Sequence, residues 1–289
     1  MSLNRESRLN LIELKCRRPV EHLLAGEYRS VFKGRGIEFE DVRVYEPGDD
    51  VRFMDWKVTA RTGVPHVKRY IEEREQFFFL IVDLSASTLS DRNGTKRRTL
   101  AEFCSLLSLA ALKNNDRVGL ILFTDRVEHV VPPGKGSQQS MRILDALDSF
   151  EPTGKGTNLS VALDTFGRMA RKRSVAFLVS DFLSEGYERE LQAASFKHDV
   201  IAVNLIESQE LEQPERGLVR VRDSESGEKR VIDFGPRQEK ANPRIESLRE
   251  GMLDCSVDLI ELLVGEDCVA ALRAFFKSRQ RLIADETGG

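Results

Sequence analysis

Residues 77–87 read Phe-Phe-Phe-Leu-Ile-Val-Asp-Leu-Ser-Ala-Ser, six consecutive apolar residues running into an aspartate and then two serines at alternate positions. An apolar run of this length, bounded by polar residues, is a strand buried on both faces, which demands a sheet covered on both sides. Asp83 falls where that strand ends, and Ser85 and Ser87 lie in the loop beyond it. A carboxylate and two hydroxyls converging on a strand end are hard oxygen donors suited to a divalent cation such as magnesium.

From residue 77 onward strands alternate with helices. Leu100, Phe103, Cys104, Leu107 and Ala111 recur at helical spacing and predict a helix over 95–113, ended by Asn114-Asn115-Asp116. A second strand covers 118–123. The apolar stretch 127–131 follows after three turn residues, too soon for a parallel crossover, so it is an antiparallel edge strand closed by Pro132-Pro133. Helices over 137–149 and 159–172 precede a buried strand over 175–179 that ends in Ser180-Asp181. A helix over 185–197, a strand over 200–206, a hairpin of 218–221 with 230–234, a helix over 237–253, a strand over 257–263 and a last helix that contains 268–276 follow. This alternation predicts a doubly wound, mostly parallel six-stranded sheet with one antiparallel edge strand. Such sheets bind ligands beyond the carboxyl ends of their strands, where strand order reverses. Asp83 and Asp181 both sit at such ends, and their loops face each other if their strands flank the reversal.

Residues 1–73 have a different texture. A short helix is expected over 8–15. Gly34, Gly36, Pro47-Gly48, Gly63 and Pro65 then punctuate Ile37, Phe39, Val42, Val44 and Tyr45, the pattern of a small irregular β element. The expected organisation is an N-terminal helix and β segment over 1–73, an α/β domain over 74–280 and a tail over 281–289. Trp56, the single tryptophan, is expected to anchor packing between segments.

The bulk numbers exclude several partners. A formal net charge of -3 over 289 residues gives no field to attract nucleic acid. No apolar stretch reaches membrane-spanning length, and the polar N-terminus carries no secretion signal. Four scattered cysteines, Cys16, Cys104, Cys255 and Cys268, read as buried thiols of a reducing compartment, so the cytoplasm is the expected location. The four histidines share no ligand or triad spacing. Gly134-Lys-Gly136 and Gly154-Lys-Gly156 lack the spacing of a phosphate-binding loop. Asp49, Asp50 and Asp55 read as solvated turn residues.

Three separated loops supply oxygen ligands in order: Asp83-x-Ser85-x-Ser87, Gly154-Lys-Gly-Thr157-Asn158 ahead of a helix, and Ser180-Asp181 at a strand end. The triple resembles the metal-ion-dependent adhesion site of von Willebrand factor type A domains, which share the fold inferred above. The resemblance implies Ser85, Ser87 and Thr157 as direct ligands of Mg2+ or Mn2+, with Asp83 and Asp181 acting through water or hydrogen bonds. Thr88 stands where many A domains carry methionine. Upstream, Gly36-Ile-Glu-Phe39, Arg43-Val-Tyr-Glu-Pro-Gly-Asp-Asp50, Asp55-Trp56, Thr59-Ala-Arg61 and Lys68-x-Tyr70 resemble the bacterial domain-of-unknown-function 58 family, a von Willebrand A-like group associated with MoxR-type AAA+ ATPases. The combined match spans about residues 30–185. Many members carry N-terminal membrane helices, which this chain lacks.

The resemblance implies a non-enzymatic interaction module that binds magnesium and grips an acidic residue of a partner, as adaptor or co-chaperone of a MoxR-type ATPase. The alternative is a magnesium-dependent phosphotransferase of haloacid-dehalogenase-like type, which also places an aspartate after its first buried strand. That chemistry needs a general acid two positions on, where this chain has Ser85.

Overall fold

The computed structural model describes residues 16, 20, 27–32, 37–72, 75–89, 94–207, 217–222, 229–234 and 242–287. The helix expected over 8–15 and the hairpin tip at 223–227 lie outside them. The chain divides into two compact units, Phe32–Gln76 and the remainder.

The larger unit is built on one six-stranded sheet. Its strands are β3 (Phe77–Asp83), β4 (Arg117–Phe123), β5 (Val127–Gly134), β6 (Val175–Ser180), β7 (Asp199–Ile206) and β10 (Asp258–Leu263). They lie in the order β10-β7-β6-β3-β4-β5. All pairings are parallel except β4 with β5. This is the doubly wound, von Willebrand A-like sheet with one antiparallel edge that the sequence predicts. The chain lays down β3, β4 and β5 in one direction, then returns to add β6 on the other side of β3. Strand order therefore reverses between β3 and β6, whose carboxyl ends carry Asp83 and Ser180-Asp181.

Helices cover both faces. One face carries α4 (Thr95–Lys113), α5 (Gly136–Ser149) and α9 (Cys268–Thr287); the other carries α6 (Leu159–Met169), α7 (Glu188–Lys197) and α8 (Pro243–Asp254). Under the second layer, Phe79 and Ile81 of β3, Ala176 and Leu178 of β6, and Ala202 of β7 pack against Leu159, Leu163, Phe166 and Leu191. Alternation carries the same face upward to Asp83, Ser180 and Asn204, so the apolar core ends in a polar row at the carboxyl edge. No helix among the described residues is long and apolar enough to cross a membrane.

Several boundaries differ from the sequence reading. Pro132 and Pro133 do not close β5 but lie inside it, because an edge strand leaves one row of backbone groups unpaired and tolerates proline there. The helix before β6 stops at Met169 rather than Lys172, and the last helix, which contains 268–276 as expected, runs from Cys268 to Thr287. Before the sheet, α1 (Glu27–Phe32) directs Tyr28 into the core, stacked on Phe78 at 5.6 Å. The separate pair β8 (Gly217–Arg222) and β9 (Lys229–Phe234) is the expected antiparallel hairpin.

The smaller unit pairs β1 (Ile37–Val44) with β2 (His66–Glu72) in antiparallel register, with a bulge at Phe39/Asp41. Between them lie a single 3-10 turn (Val51–Phe53) and α2 (Trp56–Thr62), whose N-terminus is capped by the Asp55 carboxylate. Trp56 is not the packing anchor expected of it: 68% of its surface is exposed, because it sits on the outward side of the first turn of α2.

Candidate metal centre

The first loop leaves β3 at Asp83, which is fully buried. The Ser85 backbone N–H donates to Asp83 Oδ1 at 2.8 Å, an aspartate turn that folds the loop back over the strand end. Leu84 N donates to Phe123 O at 2.8 Å and ties the loop to β4. Ser85 Oγ and Ser87 Oγ then lie 3.1 Å apart. Neighbouring ligands of an octahedral magnesium ion, at 2.0–2.1 Å from it, are separated by about 3 Å. The two hydroxyls are thus spaced as one edge of such a shell. Ser85 Oγ also donates to Thr88 Oγ1 at 3.3 Å, so Thr88, buried in place of the methionine of many A domains, joins the hydroxyl cluster.

The second loop precedes α6. Asn158 caps that helix, its side chain accepting from Val161 N at 3.2 Å, and Asn158 N donates to Thr124 O at 2.9 Å. Thr157, half-buried, is the residue just before the cap. The loop meets the first one through Ala86 N, which donates to Lys155 O at 3.1 Å. Its base is clamped by Glu128 of β5, whose carboxylate accepts from Gly154 N at 2.6 Å, Thr153 N at 3.1 Å and Thr124 Oγ1 at 2.9 Å. A Cβ at Gly154 would collide with Thr124 Oγ1 and Asp125 Oδ1, so only glycine fits.

The third loop closes the site. Ser180 Oγ donates to Asp83 Oδ2 at 2.6 Å and accepts from Phe182 N at 3.1 Å. Asp181 is buried; its Oδ1 accepts from Leu183 N at 3.3 Å, while its Oδ2 has no hydrogen-bond partner. A buried carboxylate oxygen without a partner carries a desolvation cost, so Asp181 Oδ2 is the group of this loop that a cation or a water would satisfy. Phe182 follows at φ 52°, a left-handed conformation that a bulky residue adopts only under constraint. Arg244 of α8 holds the bend by donating to Asp181 O at 2.9 Å.

The electrostatics match this arrangement. Burial pushes the Asp83 carboxyl up to about 7, and the neighbouring Asp181 charge adds to the effect, against the opposing hydrogen bonds from Ser180 and Ser85. Two buried carboxylates beside a hydroxyl edge make a negative pocket that a divalent cation would relieve. The donors are hard oxygens throughout, as Mg2+ or Mn2+ prefers. The residues therefore fit the ion that the sequence pattern implies. Among the described residues there is no cluster of three or more His, Cys, Asp or Glu that could hold a metal, so hydroxyls must complete any shell here.

Sequence reasoning missed three contributors, Lys96, Glu128 and Asn204. Lys96 of α4 is buried; it donates to Ser87 O at 3.1 Å and pairs with Glu207 at 2.7 Å, linking the first loop to the end of β7. Glu128 carries no local signal. Asn204 did carry one, as the single polar residue of an apolar strand. It lies in register with Ser180, and both polar atoms of its buried amide lack hydrogen-bond partners.

Fold and site together define a von Willebrand A-like domain with carboxylate and hydroxyl groups gathered at the switch point of the sheet. The chain belongs to the family described as "Protein of unknown function DUF58", whose model matches residues 41–248. It is 30% identical over 282 residues to "Uncharacterized protein Rv1480" of Mycobacterium tuberculosis, covering 94% of this chain and 89% of that protein. It is 28% identical over 154 residues to "Uncharacterized protein MAV169" of Mycobacterium avium, covering 51% of this chain and 91% of that protein. Among solved structures, an aerotolerance-related membrane protein from Bacteroides fragilis is similar at TM-score 0.47 and 15% identity, covering 71% of this chain and 99% of that one. BatB from Bacteroides thetaiotaomicron is similar at TM-score 0.41 and 15% identity, covering 74% and 100%.

Proposed function

We propose that this chain is a non-enzymatic protein-recognition module that uses a bound Mg2+ or Mn2+ to grip an acidic side chain of a partner. One observation carries the reading. Three loops from the two strands flanking the reversal and from the start of α6 converge, and leave the buried Asp181 Oδ2 without a partner. Ser85, Ser87 and Thr157 would hold the ion, with Asp83 and Asp181 behind them. A divalent cation with few direct carboxylate ligands retains affinity for an outside carboxylate, which makes recognition directional and dependent on the metal.

The chain's own residues prepare this role. The Asp83 carboxylate orients Ser85 through its backbone N–H, and Ser180 holds the other oxygen. Lys96 fixes the Ser87 carbonyl, and Glu128 fixes the loop that presents Thr157. Ser85 stands where a phosphotransferase needs a carboxylic acid, so these groups are arranged to bind and not to move a proton. The partner class we favour is a MoxR-type AAA+ ATPase, on the family resemblance, and the place is the cytoplasm, in keeping with four buried cysteines that form no disulfide among the described residues.

Calorimetric titration of Mg2+ and Mn2+ into the full chain tests the first half. Binding is expected in the wild type and loss of binding in Asp83→Ala with Ser85→Ala; a wild type without response ends the metal reading. Co-purification of a MoxR-type ATPase that Thr157→Ala abolishes tests the second half.

A further inference from the structure

On the face of the sheet covered by α6, α7 and α8, strand register lines up four polar side chains across the carboxyl edge. Asp83 of β3 is bonded to Ser180 of β6, Ser180 stands in register with Asn204 of β7, and Asn204 with Glu261 of β10. The apolar residues two positions earlier, Ile81, Leu178, Ala202 and Leu259, belong to or pack against one core cluster, so the four polar residues share that face. Adjacent strands lie about 4.8 Å apart, which makes each member of the row a neighbour of the next.

The two ends of the row are complete. Ser180 Oγ donates to Asp83 Oδ2 at 2.6 Å and accepts from Phe182 N at 3.1 Å. Glu261 takes the Arg249 guanidinium of α8 through two bonds of 2.7 Å. The middle is open. Asn204 is fully buried, and neither its Oδ1 nor its Nδ2 has a hydrogen-bond partner. A buried amide in that condition destabilises the fold, whereas an apolar side chain of similar size there would not. The neighbours define what is needed. Ser180 Oγ retains one acceptor position and the Glu261 carboxylate more than one, so both can receive an amide proton. Oδ1 needs a donor, and neither neighbour has one to give: the Ser180 proton goes to Asp83, and a carboxylate in an ion pair carries none. Water both donates and accepts, and buried waters typically make about three such bonds.

We infer that Asn204 holds a buried-water site between β6 and β10 that joins the Glu261–Arg249 pair to the Ser180–Asp83 bond, and that Asn204 is thereby a positioning residue for the metal centre. The inference rests on the reading of the switch point as a metal centre and adds β7 to the strands that build it. Held from behind, Ser180 Oγ keeps Asp83 Oδ2, and Asp83 Oδ1 stays turned to the Ser85 N–H that shapes the hydroxyl loop. Helix α8 reaches the same place by a second route, from Arg244 to Asp181 O at 2.9 Å. Groups that orient metal ligands from behind are typically worth about 10–100-fold in affinity, and one acting through Ser180 belongs at the low end.

The test is calorimetric titration of Mg2+ alone into the full chain, with melting of the metal-free protein in EDTA as a second readout. Asn204→Leu keeps the size and removes the polar atoms; Asn204→Ser keeps a hydroxyl and leaves room for the water. The leucine variant is expected to bind Mg2+ about tenfold more weakly while melting no lower than the wild type, and the serine variant to retain most of the affinity. In a Ser180→Ala background, Asn204→Leu should make no further difference, because both act on one bond. A leucine variant that binds Mg2+ like the wild type, or whose stability falls in step with its affinity, overturns the inference and leaves the metal reading standing. A wild type that takes no Mg2+ overturns both. Should the leucine variant not fold, Asn204→Ala decides: alanine binding as tightly as serine overturns the inference.

Discussion

The Ser180 hydroxyl donates to Asp83 Oδ2 at 2.6 Å across the strand reversal, so the two halves of the sheet meet at a buried carboxylate. Burial and Asp181 push that carboxyl up to about 7 from an ordinary 3.8. The folded chain therefore keeps the Asp83 proton to higher pH than the unfolded chain. Its contribution to stability is complete below about pH 4, declines as pH rises towards 7 and is gone above that, by up to roughly 4 kcal/mol at 1.36 kcal/mol per pH unit. Urea unfolding of the chain in EDTA at pH 5 and pH 8 measures this, against Asp83→Asn, in which the slope should flatten. Added Mg2+ should recover stability at pH 8 in the wild type and not in the variant. Identical pH slopes in both proteins would show that Asp83 does not titrate in this way.

Glu128 acts at a distance from the hydroxyls proposed to hold the ion, through the loop that bears Thr157. Truncating it to alanine strips the acceptor from Gly154 N, Thr153 N and Thr124 Oγ1. Water replaces part of this, so stability should fall by only about 1–2 kcal/mol. Metal affinity should fall further, towards that of Thr157→Ala. The double variant Glu128→Ala with Thr157→Ala should bind no more weakly than Thr157→Ala alone, because both changes act on one ligand. Additive losses in calorimetry would separate the two residues. Gly154→Ala, which drives a Cβ into Thr124 and Asp125, should reproduce the Glu128 phenotype.

How much of this the sequence displayed depended on the range of the forces involved. The β3 run and the spacing of Leu100, Phe103 and Leu107 are local consequences of burial, and both elements stand where periodicity put them. The reversal between β3 and β6 was only a condition in the sequence, because the short connection that makes β5 antiparallel does not decide on which side of β3 the next strand is added. Asp83 and Asp181 were legible because each ends an apolar run. Glu128 and Lys96 were not, because their partners lie 26 residues away at Gly154 and on the far side of β7 at Glu207, and nothing in the local pattern encodes such pairings. Trp56 was misjudged because aromatic residues are usually buried, and exposure is set by what packs above them.

Tyr28 ties the segment before the sheet to its core. Its hydroxyl donates to Asp116 Oδ2 at 3.0 Å, a carboxylate that also accepts from Asn114 Nδ2 at 2.9 Å, and its ring packs edge-on to Phe276. Burial and Asp116 together hold the phenol well above its ordinary range, so it remains a donor at any working pH. Tyr28→Phe keeps the ring and removes the donor to a buried charge, at an expected cost of about 1.5–3 kcal/mol. Tyr28→Leu should cost more, by the aromatic contacts. Thermal melts of both variants check the order; a neutral Tyr28→Phe would mean that Asp116 does not depend on this bond.

Arg279 of α9 bridges two parallel strands at their amino ends. Its guanidinium meets Asp199 of β7 with bonds of 2.9 and 2.6 Å and Asp258 of β10 at 2.6 Å, while the Phe275 ring lies 5.5 Å below. One planar fork serves two carboxylates and an aromatic face, a combination that an ammonium cannot reproduce. Arg279→Lys should therefore lose much of what Arg279→Ala loses, about 1–3 kcal/mol, discounted from a fully buried triad because all three groups retain some exposure. The loss should shrink in high salt, where the carboxylates no longer repel each other across the gap. Chemical unfolding at low and high ionic strength measures it. A lysine variant as stable as the wild type would assign the contact to simple charge and not to the geometry of the fork.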